Sequence, residues 1–531
     1  MNTPYNIPIK QSVRIASLGR KCIPLSLAFR TECVLLALFL AGILFSSCDF
    51  EEKNINPNNS TTIEPAPLLT YSQLYTSNEG LSKRVQVGYC MMMVQQTASL
   101  DREEMAGDKY LETEMLGVYF TDTYASTIKN IQELINRTAD NPEFVNTYAI
   151  ALIWKSFLFH RITDLYGDVP YSEAGNGYET QIFYPKYDRQ QDIYAGLIHD
   201  IETGLSLLDP AAPAIAGDII YSGNIDRWKK FGNSLLLRLG MRMEHADAGL
   251  ARSTVAKAVQ GGVMQEPSDI CMVRHVAGKS STENTLSSVF RSHGLLNSGA
   301  VKISKIFMDR LKITNDPRLP VYCALPDGTT DIDKQKGLQN GYDVLTIYDG
   351  DPSFQSLRDY STFNPATILL MDAPVVHLTP AEVELLQAEA VLKGWINGDA
   401  KTHYEKAVRL SMEQQAIYGA GGIIPEEQID AYLAQNLFDK APTTETKLNL
   451  IGTEFWVATF LNGYESYANW RRTGYPQLFP TSYSGSPNKG KIPRRFTYPT
   501  EEYSINLEHV EEANANQGAD ALSTRIWWDN M

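Results

Sequence analysis

The stretch TPAEVELLQAEAVLKG (Thr379–Gly394), followed by THYEKAVRLSMEQQAIY (Thr402–Tyr418), reads as two helices joined by a short turn. Ala388, then Ala400 twelve positions on, Tyr404 four further and Ala407 three further make a pattern of small and aromatic residues. Small side chains at such places let two antiparallel helices approach closely, and the aromatic fills the groove to a following pair. Repetition of this unit gives a helical scaffold in which each pair buries its apolar face against its neighbours.

These are the spacings of a tetratricopeptide repeat, with Glu384 and Val391 standing where such repeats prefer a large apolar residue and Tyr. The same helical periodicity recurs outward from this pair. Asn146–Leu165 carries Ala149, Ile153, Trp154, Phe157, Leu158 and Ile162 on one broad apolar face and stops at the Gly and Pro of YGDVP (166–170). Arg189–Leu208 is closed by Asp209-Pro210, and Asp226–Met243 places Asp226 as an N-cap. Thr453–Ala468 reads as one further helix. Gly261–Pro365 and Phe479–Arg494 differ in texture, being rich in Gly, Ser, Asn and Asp with only short apolar runs. Long irregular segments of this kind are usually functional loops. The expected fold is therefore mostly α: a tetratricopeptide-like helical-repeat scaffold with a large irregular, loop-rich lobe at about residues 261–365.

Near the start, twelve apolar residues (Val34–Phe45) follow Lys10, Arg14, Arg20, Lys21 and Arg30 and lead through Ser46-Ser47 to Cys48. A run this short does not span a bilayer but suits the core of a secretion signal. The arrangement resembles a bacterial lipoprotein signal, in which Cys48 becomes the acylated first residue of the mature chain. The acidic Asp49–Glu52 stretch resembles the export signal of Bacteroidetes-type surface lipoproteins, and Asn54–Ser60 is a polar tether. The expected organisation is residues 1–47 as signal, 48–62 as acylated Cys and tether, and 63–531 as the functional domain.

Composition narrows the function. The chain has 47 basic and 62 acidic residues, and losing residues 1–47 moves its net charge from −15 to −19, because five basic residues and one acidic residue leave. So acidic a protein is a poor partner for nucleic acid. Cys90, Cys271 and Cys323 remain in the mature chain without metal-like spacing and read as buried free thiols.

Six segments in order, from about residue 50 to the C-terminus, resemble the SusD/RagB family of nutrient-binding outer-membrane lipoproteins. They are Asp164–Tyr171 (DLYGDVPY), Pro185–Tyr194, Trp228–Leu239, Thr379–Gly394, Asn462–Pro476 (NGYESYANWRRTGYP) and Ile492–Pro499, the last followed by Glu501, Asn506 and Trp527-Trp528-Asp529. The pattern is similar to the SusD-like subgroup. The resemblance implies about four helix pairs plus an irregular lobe carrying the ligand contacts. It implies a surface protein seated over a SusC-like, TonB-dependent transporter, to which it delivers an oligosaccharide or a peptide. Such proteins bind and do not catalyse, and no cofactor is implied.

Sugar binding needs flat aromatic faces against pyranose rings and polar groups at the hydroxyls. All seven Trp fall on helices or on the segments just named and read as packing. The candidate ligand aromatics are Tyr110, Tyr119 and Tyr124 early in the chain and Tyr342, Tyr348 and Phe354 later, with Phe120 and Tyr360 beside them. Arg471 and Arg472 read as structural, at least one pairing with a buried carboxylate that ties helix to loop. Asp327, Asp331, Asp333, Asp349 and Asp351 sit on Gly-containing loops that suit Ca2+ but read as solvated turns. A surface glycoside hydrolase would need two carboxylates flanking the scissile bond, and nothing marks such a pair. A repeat scaffold without a small-molecule site is the other alternative.

Overall fold

In the computed structural model, Thr379 accepts a hydrogen bond from the Glu382 amide (3.1 Å) and starts a helix over Pro380–Leu392. Asp399 does the same through the Thr402 amide (2.9 Å) for Ala400–Glu413, which tightens into a 3-10 turn up to Tyr418. Ala388, Ala400, Tyr404 and Ala407 are all buried, and the Tyr404 ring lies 5.4 Å from that of Phe438. Glu384, the departure from the repeat pattern, accepts from His403 Nδ1 (2.6 Å) and Lys406 Nζ (2.6 Å) and so ties the two helices together.

The structure describes residues 64–78, 84–279, 281–292, 301–488 and 490–530, and residues 64–531 form one compact unit. The expected signal (1–47) and the expected acylated Cys48 and tether (48–62) lie outside the described residues, as does residue 63. Twelve helices carry the frame: α1 (Pro65–Asn78), α2 (Lys129–Thr138), α3 (Val145–Tyr166), α4 (Gln190–Leu207), α5 (Ile225–Arg242), α6 (Ala248–Gly261), α7 (Lys305–Ile313), α8 (Pro380–Leu392), α9 (Ala400–Glu413), α10 (Thr444–Ala458), α11 (Gly463–Thr473) and α12 (Leu507–Gln517). Four pairs pack along their lengths among the described residues: α1 on α2, α3 on α4, α5 on α6 and α8 on α9. Two sequence expectations shift. The N-cap of α5 is Asn224, which accepts from the Arg227 amide (3.0 Å), so Asp226 lies in the first turn. The single helix read over Thr453–Ala468 is two, α10 and α11, because the chain turns at Thr459–Asn462 with Leu461 in the left-handed region (φ 71°).

Strands are short, and they form antiparallel two-stranded ladders. β1 (Thr97–Ala98) pairs with β5 (Lys302–Ile303), β2 (Val169–Pro170) with β3 (Tyr187–Asp188), β4 (Cys271–Val273) with β8 (Val375–Leu378), and β6 (Cys323–Ala324) with β7 (Thr362–Phe363). Residues 262–379 carry five of these strands, β4 to β8, and a few short helices between α6 and α8.

The six segments that carry the family resemblance meet in one buried polar network. Arg238 on α5 donates to both oxygens of Glu382 on α8 (2.7 and 2.9 Å). Arg242 donates to Asp164 at the end of α3 (3.1 Å) and to Glu465 on α11 (2.5 Å). Tyr194 and Trp528 also donate to Asp164 (2.5 and 2.8 Å). Arg472 holds Glu389 by two bonds of 2.6 Å, joining α11 to α8, so the pair ties helix to helix and not helix to loop. Arg471 instead donates to the carbonyls of Asp164 (2.6 Å) and Arg494 (2.9 Å) and lies over the Trp528 ring. Asp168 of YGDVPY accepts from the Gln190 amide (2.8 Å), capping α4, and burial pushes its carboxyl up to about 6. Trp154, Trp228, Trp456, Trp470 and Trp528 are buried, with Trp395 and Trp527 half-buried against the core. Cys90, Cys271 and Cys323 are buried free thiols.

Candidate functional site

The candidate aromatics separate into three groups. Tyr110 and Tyr119 are buried, with 0% and 2% exposure, and have no ring face open to solvent. Tyr119 packs on Tyr464 (centroids 4.8 Å apart). Phe120 and Tyr124 border a cavity of about 540 Å³ that Phe183, Tyr184 and Ile505 also line, and the Tyr124 hydroxyl donates to the Pro170 carbonyl. Tyr342, Tyr348 and Phe354 belong to a different face. A small separate core of Ala98, Leu100, Leu338, Ile347 and Tyr360 supports Tyr342 and Phe354, and Tyr348 stands out from it at 54% exposure. The Phe354 ring lies between Tyr348 and Tyr360, with centroids 5.7 Å from each.

Beside Tyr342 opens a cavity of about 460 Å³ lined by Gln95, Lys305, Asp309, Asn340, Tyr342 and Phe479. Phe479 is 79% exposed, so its ring is open to solvent at the cavity edge. Its loop is held from beneath. The buried pair of Asp108 and Lys109 (2.7 Å) lies under the rim. Asp108 accepts from the Gly341 amide (3.2 Å) and through its carbonyl from Thr481 Oγ1 (2.6 Å). Asn340 Nδ2 donates to the Thr97 carbonyl (2.8 Å), and Gln95 Nε2 donates to the Phe479 carbonyl (2.6 Å). Tyr110 joins this pedestal, its hydroxyl accepting from the Thr481 amide (3.1 Å). Gly341 has φ 84°, and a Cβ there would meet Thr481 at 2.5 Å, so the rim requires glycine at this point.

Charge around the rim is fixed in one state. Burial works to raise the Asp343 carboxyl, but hydrogen bonds from Tyr483 (2.7 Å), Thr346 and the Leu345 amide hold it down to about 2. Lys336 (2.8 Å), Ser353 and Tyr360 hold Asp351 below the usual carboxylate range. A general acid at neutral pH needs the opposite shift. Asp327 and Asp331 accept from amides of their own turns, Thr329 (2.9 Å) and Asp333 (3.1 Å). Among the described residues no cluster of three metal-ligating side chains forms. What the face offers is flat apolar rings beside fixed polar groups, which is chemistry for binding.

Sequence reasoning did not select Phe479, although it marked the Phe479–Arg494 stretch as a loop. The available signal was an aromatic directly before Pro in a segment with no helical or strand pattern. Arg102, 3.8 Å from Asp343 with its side chain 57% exposed, gave no signal.

The model of the SusD-like family, described as starch-binding and associating with the outer membrane, matches residues 57–499. A solved chitin-binding protein shares 30% identity at a TM-score of 0.77, covering 88% of this chain and 100% of that one. A SusD homologue from Bacteroides fragilis shares 27% at 0.73, with 88% and 100% covered. A chitin-binding SusD homologue from Flavobacterium johnsoniae shares 23% at 0.73, with 88% and 98% covered, and speaks for the fold alone. No curated protein matches the chain.

Proposed function

The chain belongs to the SusD-like family of carbohydrate-binding proteins associated with the outer membrane, and from that premise we propose that its Tyr342–Phe479 face captures a glycan at the cell surface. The captured glycan then passes to a SusC-like, TonB-dependent transporter. Acylated Cys48 is the anchor, the polar tether of residues 49–62 gives it reach, and the acidic Asp49–Glu52 stretch directs it outward. No helix among the described residues is long and apolar enough to cross a membrane, which fits attachment by lipid.

The observation that carries the reading is an exposed Phe479 in one cavity with Tyr342, on a pedestal of buried hydrogen bonds, with Tyr348 exposed on the same small core that supports Tyr342. Ring faces of this kind stack on the apolar faces of pyranoses, while Asn340, Lys305 and Asp309 offer hydrogen bonds to hydroxyls or acetamido groups. The chitin-binding relative makes a β-linked N-acetylglucosamine oligomer the first ligand to test, with a starch oligomer second. Titration of residues 49–531 with chitohexaose and maltohexaose is expected to give saturable binding without release of reducing ends. Phe479→Ala is expected to weaken it by about tenfold. Binding of neither oligomer, unchanged affinity in both Phe479→Ala and Tyr348→Ala, or release of reducing ends would each overturn the proposal.

A further inference from the structure

A second cavity stands apart from the aromatic face. It has about 480 Å³ of space where the first turn of α5, the end of β4 and the C-terminus of α9 come together. Arg227 and Arg274 both line it, and neither guanidinium has an ion-pair or hydrogen-bond partner among the described residues. Arg227 is half-buried and Arg274 exposed, and the chain as a whole has 15 more acidic than basic residues. Two guanidiniums with no partner among the described residues therefore face one cavity of an acidic protein, against the single carboxylate of Glu413.

The opposite wall has different chemistry. Gln414, 8% exposed, belongs to this wall, with its side-chain carbonyl oxygen buried out of reach of the cavity. Glu413 adds a carboxylate on the same wall, with the carbonyl end of α9 behind it. Met272 and Ile417 complete the lining with apolar surface.

We infer that this cavity is a second binding site, one that takes a carboxylate-bearing sugar residue such as a uronate. The carboxylate faces Arg227 and Arg274, since the guanidinium fork matches a planar oxyanion. Negative potential from Glu413 and the end of α9 repels the carboxylate from the far wall and leaves that wall for hydroxyls. The ring's apolar face lies on Met272 and Ile417. The site shares no lining residue with the Tyr342–Phe479 face, so the two can be occupied independently.

The test titrates residues 49–531 with tetragalacturonate, with its fully methyl-esterified form and with acetate. The acid form is expected to bind at least about tenfold more tightly than the ester, which has the same shape without the charge. The Arg227→Ala/Arg274→Ala double variant is expected to lose that preference while keeping the parent's melting temperature and its affinity for chitohexaose. Glu413→Gln is expected to tighten tetragalacturonate binding by removing a repelling charge. Equal binding of acid and ester, or an unchanged double variant, would overturn carboxylate recognition. Acetate binding as tightly as tetragalacturonate would overturn the assignment to a sugar. The chitohexaose arm reports the aromatic face separately, so failure at one site is not mistaken for failure at the other.

Discussion

Single residues carry more of the site than their exposure advertises. Gly341 touches no cavity wall by a side chain, yet it sets the rim. Its amide is held by Asp108, its φ is 84°, and Thr481 occupies the space a Cβ would need. Gly341→Ala therefore forces either a strained backbone, at an order of 1–3 kcal/mol, or a displaced Thr481 loop. The expected outcome is a lower denaturant midpoint together with weaker chitohexaose binding. Tyr110 illustrates why single residues were hard to read from sequence. It lies in a polar, loop-like stretch, where an aromatic resembles a ligand platform. It is buried because Thr481, 371 positions away, closes over it. The same long-range closure exposes Phe479 beside it. No local pattern holds that information, because neither burial nor exposure of these rings is decided by neighbours in the chain.

Elements were far more legible, because their signals are local. The caps at Thr379 and Asp399, the small residues of α8 and α9, and the Gly167 exit of α3 all act within a few residues of themselves. The misreadings were also local competitions. Thr459–Asn462 is apolar enough to continue a helix by pattern, and only the left-handed Leu461 breaks it. Between elements, charge takes over. Burial tends to raise the Glu389 carboxyl, but Arg472 beside it prevails and holds it down to about 2, against 4.5 ordinarily. A carboxyl lowered on folding adds stability that is fully present above about pH 4.5 and is lost as the pH falls toward 2. Arg472→Ala leaves that carboxylate buried without its main partner, at an expected cost of about 3–5 kcal/mol in urea unfolding at pH 7. The deficit should shrink as the pH is lowered through 4.5, because a protonated Glu389 no longer needs the arginine. A deficit independent of pH would argue that packing, not charge, is what Arg472 supplies.

At the scale of the whole molecule, the helical frame and the proposed binding surface are made by different parts of the chain. The six ordered segments build the frame through Asp164, Arg242, Glu465, Arg472 and Glu389, which explains why they are recognisable and why none of them lines the aromatic cavity. Attachment is a third, separable property. Cys48→Ser is expected to move the protein from the membrane fraction to the soluble fraction and to abolish fatty-acid labelling, with glycan affinity of the purified protein unchanged. Retention of the serine variant in the membrane fraction would point to anchorage by something other than the lipid.

The buried Asp108–Lys109 pair has one further consequence, for how ligand preference can change. Because Asp108 grips both the Asn340–Gly341 turn and the Thr481 loop, those two surface segments are not independent modules. Grafting one of them from a relative would leave the other clamped in a geometry made for its old companion. Preference for a new glycan therefore has to be transplanted as a cassette of three pieces, the 95–110 pedestal with both loops it holds. Swapping it whole is the economical route to re-targeting this protein.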